Sequence, residues 1–153
     1  QNYDVQLLLI GDGNAAQKLK KLVHKLNLDG KVVFAGYVGD AIHKQRLFSL
    51  SDIFVIASPV ELQSIVTLEA MAAGLPIVAV NEGALPELAQ KGVNGDVFRE
   101  GDSSALARCI GNILLDPVKL RQYRQSSLKI IKNHNIKDTW IKYSDMYSKI
   151  LNS

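Results

Sequence analysis

The chain has 153 residues, 47% hydrophobic and 22% charged, which excludes an intrinsically disordered protein and supplies one domain with enough apolar side chains for a core. Eighteen Lys+Arg against 15 Asp+Glu give a formal charge of +3, compatible with an anionic ligand or an anionic membrane surface; no nucleic-acid partner is expected, because no recognised motif or set of stacking aromatics accompanies the basic residues. No apolar run approaches the roughly 18 residues of a membrane span, residues 1–4 lack the basic-then-apolar order of a leader, and a single cysteine, Cys109, excludes an internal disulfide and a multi-cysteine zinc site.

Residues 5–10 form a short, continuous apolar run that ends in Gly11-Asp12-Gly13, the pattern of a buried strand and its loop. A helix follows, with Leu19, Leu22, Val23 and Leu26 on one face and lysines opposite, closed by Leu28-Asp29-Gly30. Residues 31–35 read as a second strand ending at Gly36, residues 41–49 as a short helix, and residues 53–57 as a third strand. A helix is expected over 64–73, stopped by Gly74, before a fourth strand over 76–80. A short helix over 86–90, a turn at 92–95 and a last strand at 96–98 complete the alternation.

The remainder is helical. Asp102 is placed to cap a helix over 103–115, Asp116-Pro117 opens another, and a last helix over 136–151 carries Trp140, Tyr143, Met146, Tyr147 and Ile150 as an apolar stripe, read as a packing surface. The clusters Lys18-Lys20-Lys21-Lys25 and Arg121-Arg124-Lys129-Lys132 read as solvated helix faces. Strands without polar alternation, separated by helices, predict one α/β domain with a parallel sheet covered on both faces. Ligands of such sheets sit beyond the carboxyl ends of the strands, so the loops after Ile10, Ala35, Ala57 and Val80 are the ones that matter.

Glu61 and Glu69 stand eight positions apart, one in the loop after the third strand and one inside the helix that follows. Helical side chains lean toward the amino terminus, so Glu69 can reach back toward Glu61. Between them lie the unpaired N–H groups of the helix start, which suit a phosphate. Carboxylates are poor partners for phosphate oxygens and good acceptors for sugar hydroxyls. The spacing therefore fits a nucleotide-sugar, with a sugar on either side of a phosphate. By spacing alone, the other reading is a solvated Glu69 and a capping Glu61.

The stretch from Glu61 to Glu69, followed by Ala70-Met71-Ala72-Ala73-Gly74-Leu75-Pro76-Ile77-Val78-Ala79, resembles the E-x7-E signature of family-4-type glycosyltransferases with the GT-B fold. Gly83, Pro86-Glu87-Leu88, Gly92, Asn94-Gly95 and Gly101-Asp102 continue the likeness, as do Leu8 to Gly13 and Val33 to Val38 upstream. The resemblance implies a Rossmann-like carboxy-terminal domain, the half of such enzymes that holds the nucleotide-diphosphate sugar. By position it implies Glu69 on the ribose hydroxyls and Glu61, the expected catalytic residue, on the transferred sugar. The N–H groups of Ser64, Ile65 and Val66 would hold the diphosphate, with Tyr37 and Val38 bordering the base. Gly11 and Gly13 would let the first loop pass close to the nucleotide or would serve as turn glycines, and Lys44 is a weaker contact candidate.

The same resemblance implies a retaining hexose transfer to a glycan or lipid acceptor, cytoplasmic or peripheral at the inner membrane face, with oligomers allowed. Against the family pattern, Gln63-Ser64 replaces a Phe-Gly and Gly83-Ala84 a Gly-Gly. No Lys or Arg falls between Ile53 and Gln90; family members supply cations from a loop after a first, central strand. The chain is expected to lack that strand and the acceptor domain, and to be inactive alone. His24, His43 and His134 lack ligand spacing, so no metal or other cofactor is expected. Two alternatives share parts of the pattern. A related epimerase would bind the same donor. An NAD-binding domain would use Gly11-Asp12-Gly13-Asn14-Ala15-Ala16 but lacks the acid at the end of the second strand.

Overall fold

The computed structural model describes residues 4–151; residues 1–3, read above for a leader, lie outside the described residues. The elements in chain order are β1 (Leu7–Ile10), α1 (Ala16–Lys25), β2 (Val32–Gly36), α2 (Ala41–Ser49), β3 (Phe54–Ile56), α3 (Ile65–Ala72), β4 (Ile77–Val80), α4 (Leu85–Leu88), β5 (Gly95–Phe98), α5 (Ser103–Leu114), α6 (Pro117–Ile130) and α7 (Ile136–Leu151). The expected alternation and α/β class are both present. Boundaries move by one or two residues at most ends, the usual reach of fraying and capping.

The strands fall into two sheets, where one was expected. β1 pairs with β2, and β3, β4 and β5 pair in that order; every pairing is parallel. The chain accordingly divides into two compact units, residues 4–44 and 45–151.

In the first unit β1 and β2 run side by side, and α1 makes the crossover between them. No residue of 4–44 is buried, and Leu7, Leu19, Leu22, Leu26 and Val33 all present apolar surface. The unit is held by its ladder, by Lys20 lying 5.7 Å from the centre of the Phe34 ring, and by a Lys31–Asp4 ion pair that keeps the Asp4 carboxyl below its ordinary range.

The second unit holds the core. β4 reads Ile77-Val78-Ala79-Val80 and is buried throughout, as a central strand with no polar residue must be. α3 and α5 pack on this sheet and α6 packs on both helices. Met71, Leu75, Leu85 and Ile113 are fully buried between these layers. Asp102 caps α5 by accepting from Ala105 N at 2.7 Å, and Asp116 caps α6 by accepting from Val118 N and Lys119 N, with Pro117 in the first turn. Arg124 departs from the solvated face expected of its cluster: its Nη2 donates to Ser51 O at 2.9 Å and to Asp52 Oδ1 at 3.1 Å, tying α6 to the segment before β3. α7 buries none of its residues, and the side chains of the Trp140–Tyr147 stripe stay largely exposed rather than forming a buried packing surface.

Candidate functional site

Parallel strands deliver their outgoing loops to one edge, so in each unit the loops after adjacent strands become neighbours. In the first unit Gly11 N donates to Gly36 O at 2.8 Å, joining the loops after β1 and β2. Gly13 N donates to Asp12 Oδ1 at 2.9 Å, folding that loop on itself. Gly11 has φ 136 and Gly36 φ 67, backbone conformations that glycine adopts freely and other residues rarely do. Tyr37 is 81% exposed just beyond β2, and Val38 is half-buried. Lys44, at the end of this unit, lies on α2 and is half-buried.

In the second unit β3 leads into the exposed loop 57–60, and β4 into residues 81–84. The two loops touch. Ala84 N donates to Glu61 O at 3.3 Å, and Gly83, at φ +56, lies against the same carbonyl. Glu61 is half-buried between exposed Val60 and Leu62, whose fractional exposures are 83% and 95%. Glu69 is half-buried and is the fifth residue of α3, about 6 Å along its axis from the first.

The start of α3 differs from an ordinary capped helix. Ser64 occupies the N-cap, yet its hydroxyl makes no capping bond to the helix backbone. It accepts instead from Thr67 Oγ1 at 2.8 Å, and both side chains are buried. Ile65 N donates to Gln63 O at 3.1 Å, and Thr67 N and Leu68 N donate to Ser64 O. Val66 N has no acceptor among the described residues. The end of the helix dipole therefore remains open to an anion. The Ser64–Thr67 pair was not expected, although its i, i+3 spacing at a helix start is the signal that would have revealed it.

Among the described residues no three His, Cys, Asp or Glu side chains group as a metal site, and no helix is long and apolar enough to cross a membrane. Glu61 thus stands in the loop before an uncapped helix start and Glu69 one turn inside that helix.

The family description "Glycosyl transferases group 1" matches residues 1–116. An uncharacterised glycosyltransferase of Methanocaldococcus jannaschii is 34% identical over 145 residues, covering 94% of this chain and 35% of that protein. The N-acetyl-alpha-D-glucosaminyl L-malate synthase of Bacillus anthracis is 34% identical over 104 residues, covering 68% of this chain and 26% of that protein. Among solved structures, Anabaena HepE in complex with UDP superposes with a TM-score of 0.87 at 26% identity, over 95% of this chain and 41% of that one. The same protein in complex with UDP-glucose gives a TM-score of 0.87 over 97% of this chain and 42% of its own. The chain thus spans about a third of these curated relatives at most and about two-fifths of HepE.

Proposed function

The chain belongs to the group 1 glycosyl transferases, and from that premise we propose that it is the donor-binding half of such an enzyme, holding a nucleotide-diphosphate sugar for transfer to a glycan or lipid acceptor presented by a second half. The observation that carries the reading is the start of α3, with Val66 N unpartnered among the described residues, which in the chain falls between Glu61 and Glu69. UDP and UDP-glucose in the HepE complexes support a nucleoside diphosphate with its sugar as the ligand class.

In this reading Ser64 and Val66 N face the diphosphate, while Ile65 N, expected there too, already donates to Gln63 O; Glu69 accepts from the ribose hydroxyls, and Glu61 accepts from hydroxyls of the transferred hexose. Transfer breaks the bond between the anomeric carbon and the diphosphate oxygen. The carbon gains the acceptor oxygen, whose proton is released, and the electron pair leaves with the diphosphate. The N–H groups at the start of α3 stabilise that departing charge, which is where electrostatic preorganisation does most to lower a barrier. The configuration at carbon is retained.

Calorimetry of the full-length enzyme with UDP-, GDP- and ADP-glucose tests the reading. Glu69→Ala is expected to weaken donor binding by about 1–3 kcal/mol through loss of a charged hydrogen bond, and Glu61→Ala to slow transfer more than it weakens nucleotide binding. Unchanged donor affinity in the Glu69 variant, or no affinity of the wild type for any of the three donors, would contradict it.

A further inference from the structure

We propose that Gly83 is a positioning residue for Glu61: its missing side chain lets the backbone of 81–84 serve as a fixed rail against the Glu61 carbonyl, and so sets where the Glu61 carboxylate lies. The inference rests on the reading of Glu61 as the group beside the transferred sugar.

The loop that carries Glu61 has little to hold it. Residues 57–60 before it and 62–63 after it are exposed. Residues 81–83 are exposed as well, but only four residues separate the rail's buried ends, against seven between buried Ile56 and Ser64 around the Glu61 loop. Val80 and Leu85 are completely buried, and Asn81 N donates to Phe98 O at 2.8 Å. Between these anchors the chain turns at Gly83 with φ +56, and Ala84 N reaches Glu61 O at 3.3 Å. A Cβ on Gly83 would lie 2.7 Å from that oxygen, 3.7 Å from the Glu61 carbonyl carbon and 3.9 Å from Glu61 N. All three are backbone atoms, so no flexible side chain can yield. The anchored rail stays and the exposed loop moves, taking Glu61 with it. A displacement of about 1 Å at a reacting group costs roughly a hundredfold in rate.

Two substitutions separate this role from plain backbone strain. Alanine adds the Cβ and also disfavours positive φ; asparagine adds the Cβ but tolerates that region far better. The full-length enzyme is assayed for release of nucleoside diphosphate from whichever of UDP-, GDP- or ADP-glucose binds best, and titrated with the matching nucleoside diphosphate. Both Gly83→Ala and Gly83→Asn are expected to lose about a hundredfold in turnover with nucleoside diphosphate affinity unchanged, and Gly83→Asn to be the more heat-stable of the two. Turnover that recovers with stability in Gly83→Asn would overturn the proposal, since it would make Gly83 a merely structural residue. So would additive losses on combining Gly83→Asn with Glu61→Gln, because a rail acting through Glu61 has nothing further to lose once that carboxylate is gone. The rail has a ligand-free readout as well: the Ala84 amide should exchange slowly in the wild type and faster in Gly83→Asn, and an unprotected wild-type amide would sink the proposal. Full turnover in Glu61→Gln alone would remove the donor reading beneath it while leaving the Ala84 result intact, so the two failures are distinguishable.

Discussion

Asn94 is fully buried, and its side chain is spent on the backbone around it. Nδ2 donates to Leu88 O at 2.9 Å and to Ser127 Oγ at 3.3 Å, while Oδ1 accepts from Gln90 N at 2.9 Å; Ser127 Oγ in turn donates to Leu75 O at 2.7 Å. The sequence marks Asn94 as part of a family pattern, but neither its burial nor its partner 33 residues away is readable there. Asn94→Ala orphans the buried Leu88 O, at about 1–3 kcal/mol, and also removes the acceptor of Gln90 N at an exposed residue. Chemical denaturation should show the loss, and an unchanged midpoint would contradict the network's role. Cys109 is a simpler case. It is half-buried with its Sγ donating to Val97 O at 3.9 Å, and burial, followed by the Asp96 charge, pushes its thiol up. Since the thiolate is the reactive form, alkylation near neutral pH should be slower in the native protein than in the denatured one. Equal rates would count against that environment.

Helix limits were legible wherever chemistry at the end fixes them: Asp102 and Asp116 cap α5 and α6 as their positions before helical runs predict, and Gly74, at φ +77, follows α3 as its stop. Pairing was less legible, because a strand's sequence says how its faces are buried but not which neighbour covers it. β4 and β5 show how tight a pairing can be. Gly95 lies opposite Ile77, and a Cβ on it would stand 1.8 Å from Ile77 O. Gly95→Ala must therefore spread two strands of the core sheet, and should cost at least the upper part of the about 1–3 kcal/mol typical of overpacking. Gly111, inside α5 with nothing within 4 Å of its would-be Cβ, provides the contrast. There alanine should stabilise by about 0.5–1 kcal/mol. Thermal melts with shifts of the same sign for both would refute this account of the two glycines.

Across the whole molecule, burial is uneven. Every buried apolar residue among those described lies between Phe48 and Tyr123, whereas 4–44 and α7 contribute none. Slow exchange requires backbone that opens only with the core. The most protected amides should therefore belong to β4, α3 and α5, with β1, β2 and α7 exchanging much faster in hydrogen-exchange mass spectrometry. Equal protection in β1 and β4 would contradict that gradient. By itself the sequence determined the order and type of the elements, the parallel sense of the strands, the capped helix ends and the pair of glutamates eight apart, all of which depend on local period, turn chemistry or spacing. Only the tertiary structure decided that the strands divide into two sheets, that Asn94 and Ser127 share a buried network, and that Gly83 lies under Glu61. Each of these joins groups whose contact depends on how chain segments are folded in space, a geometry that residue spacing alone does not encode.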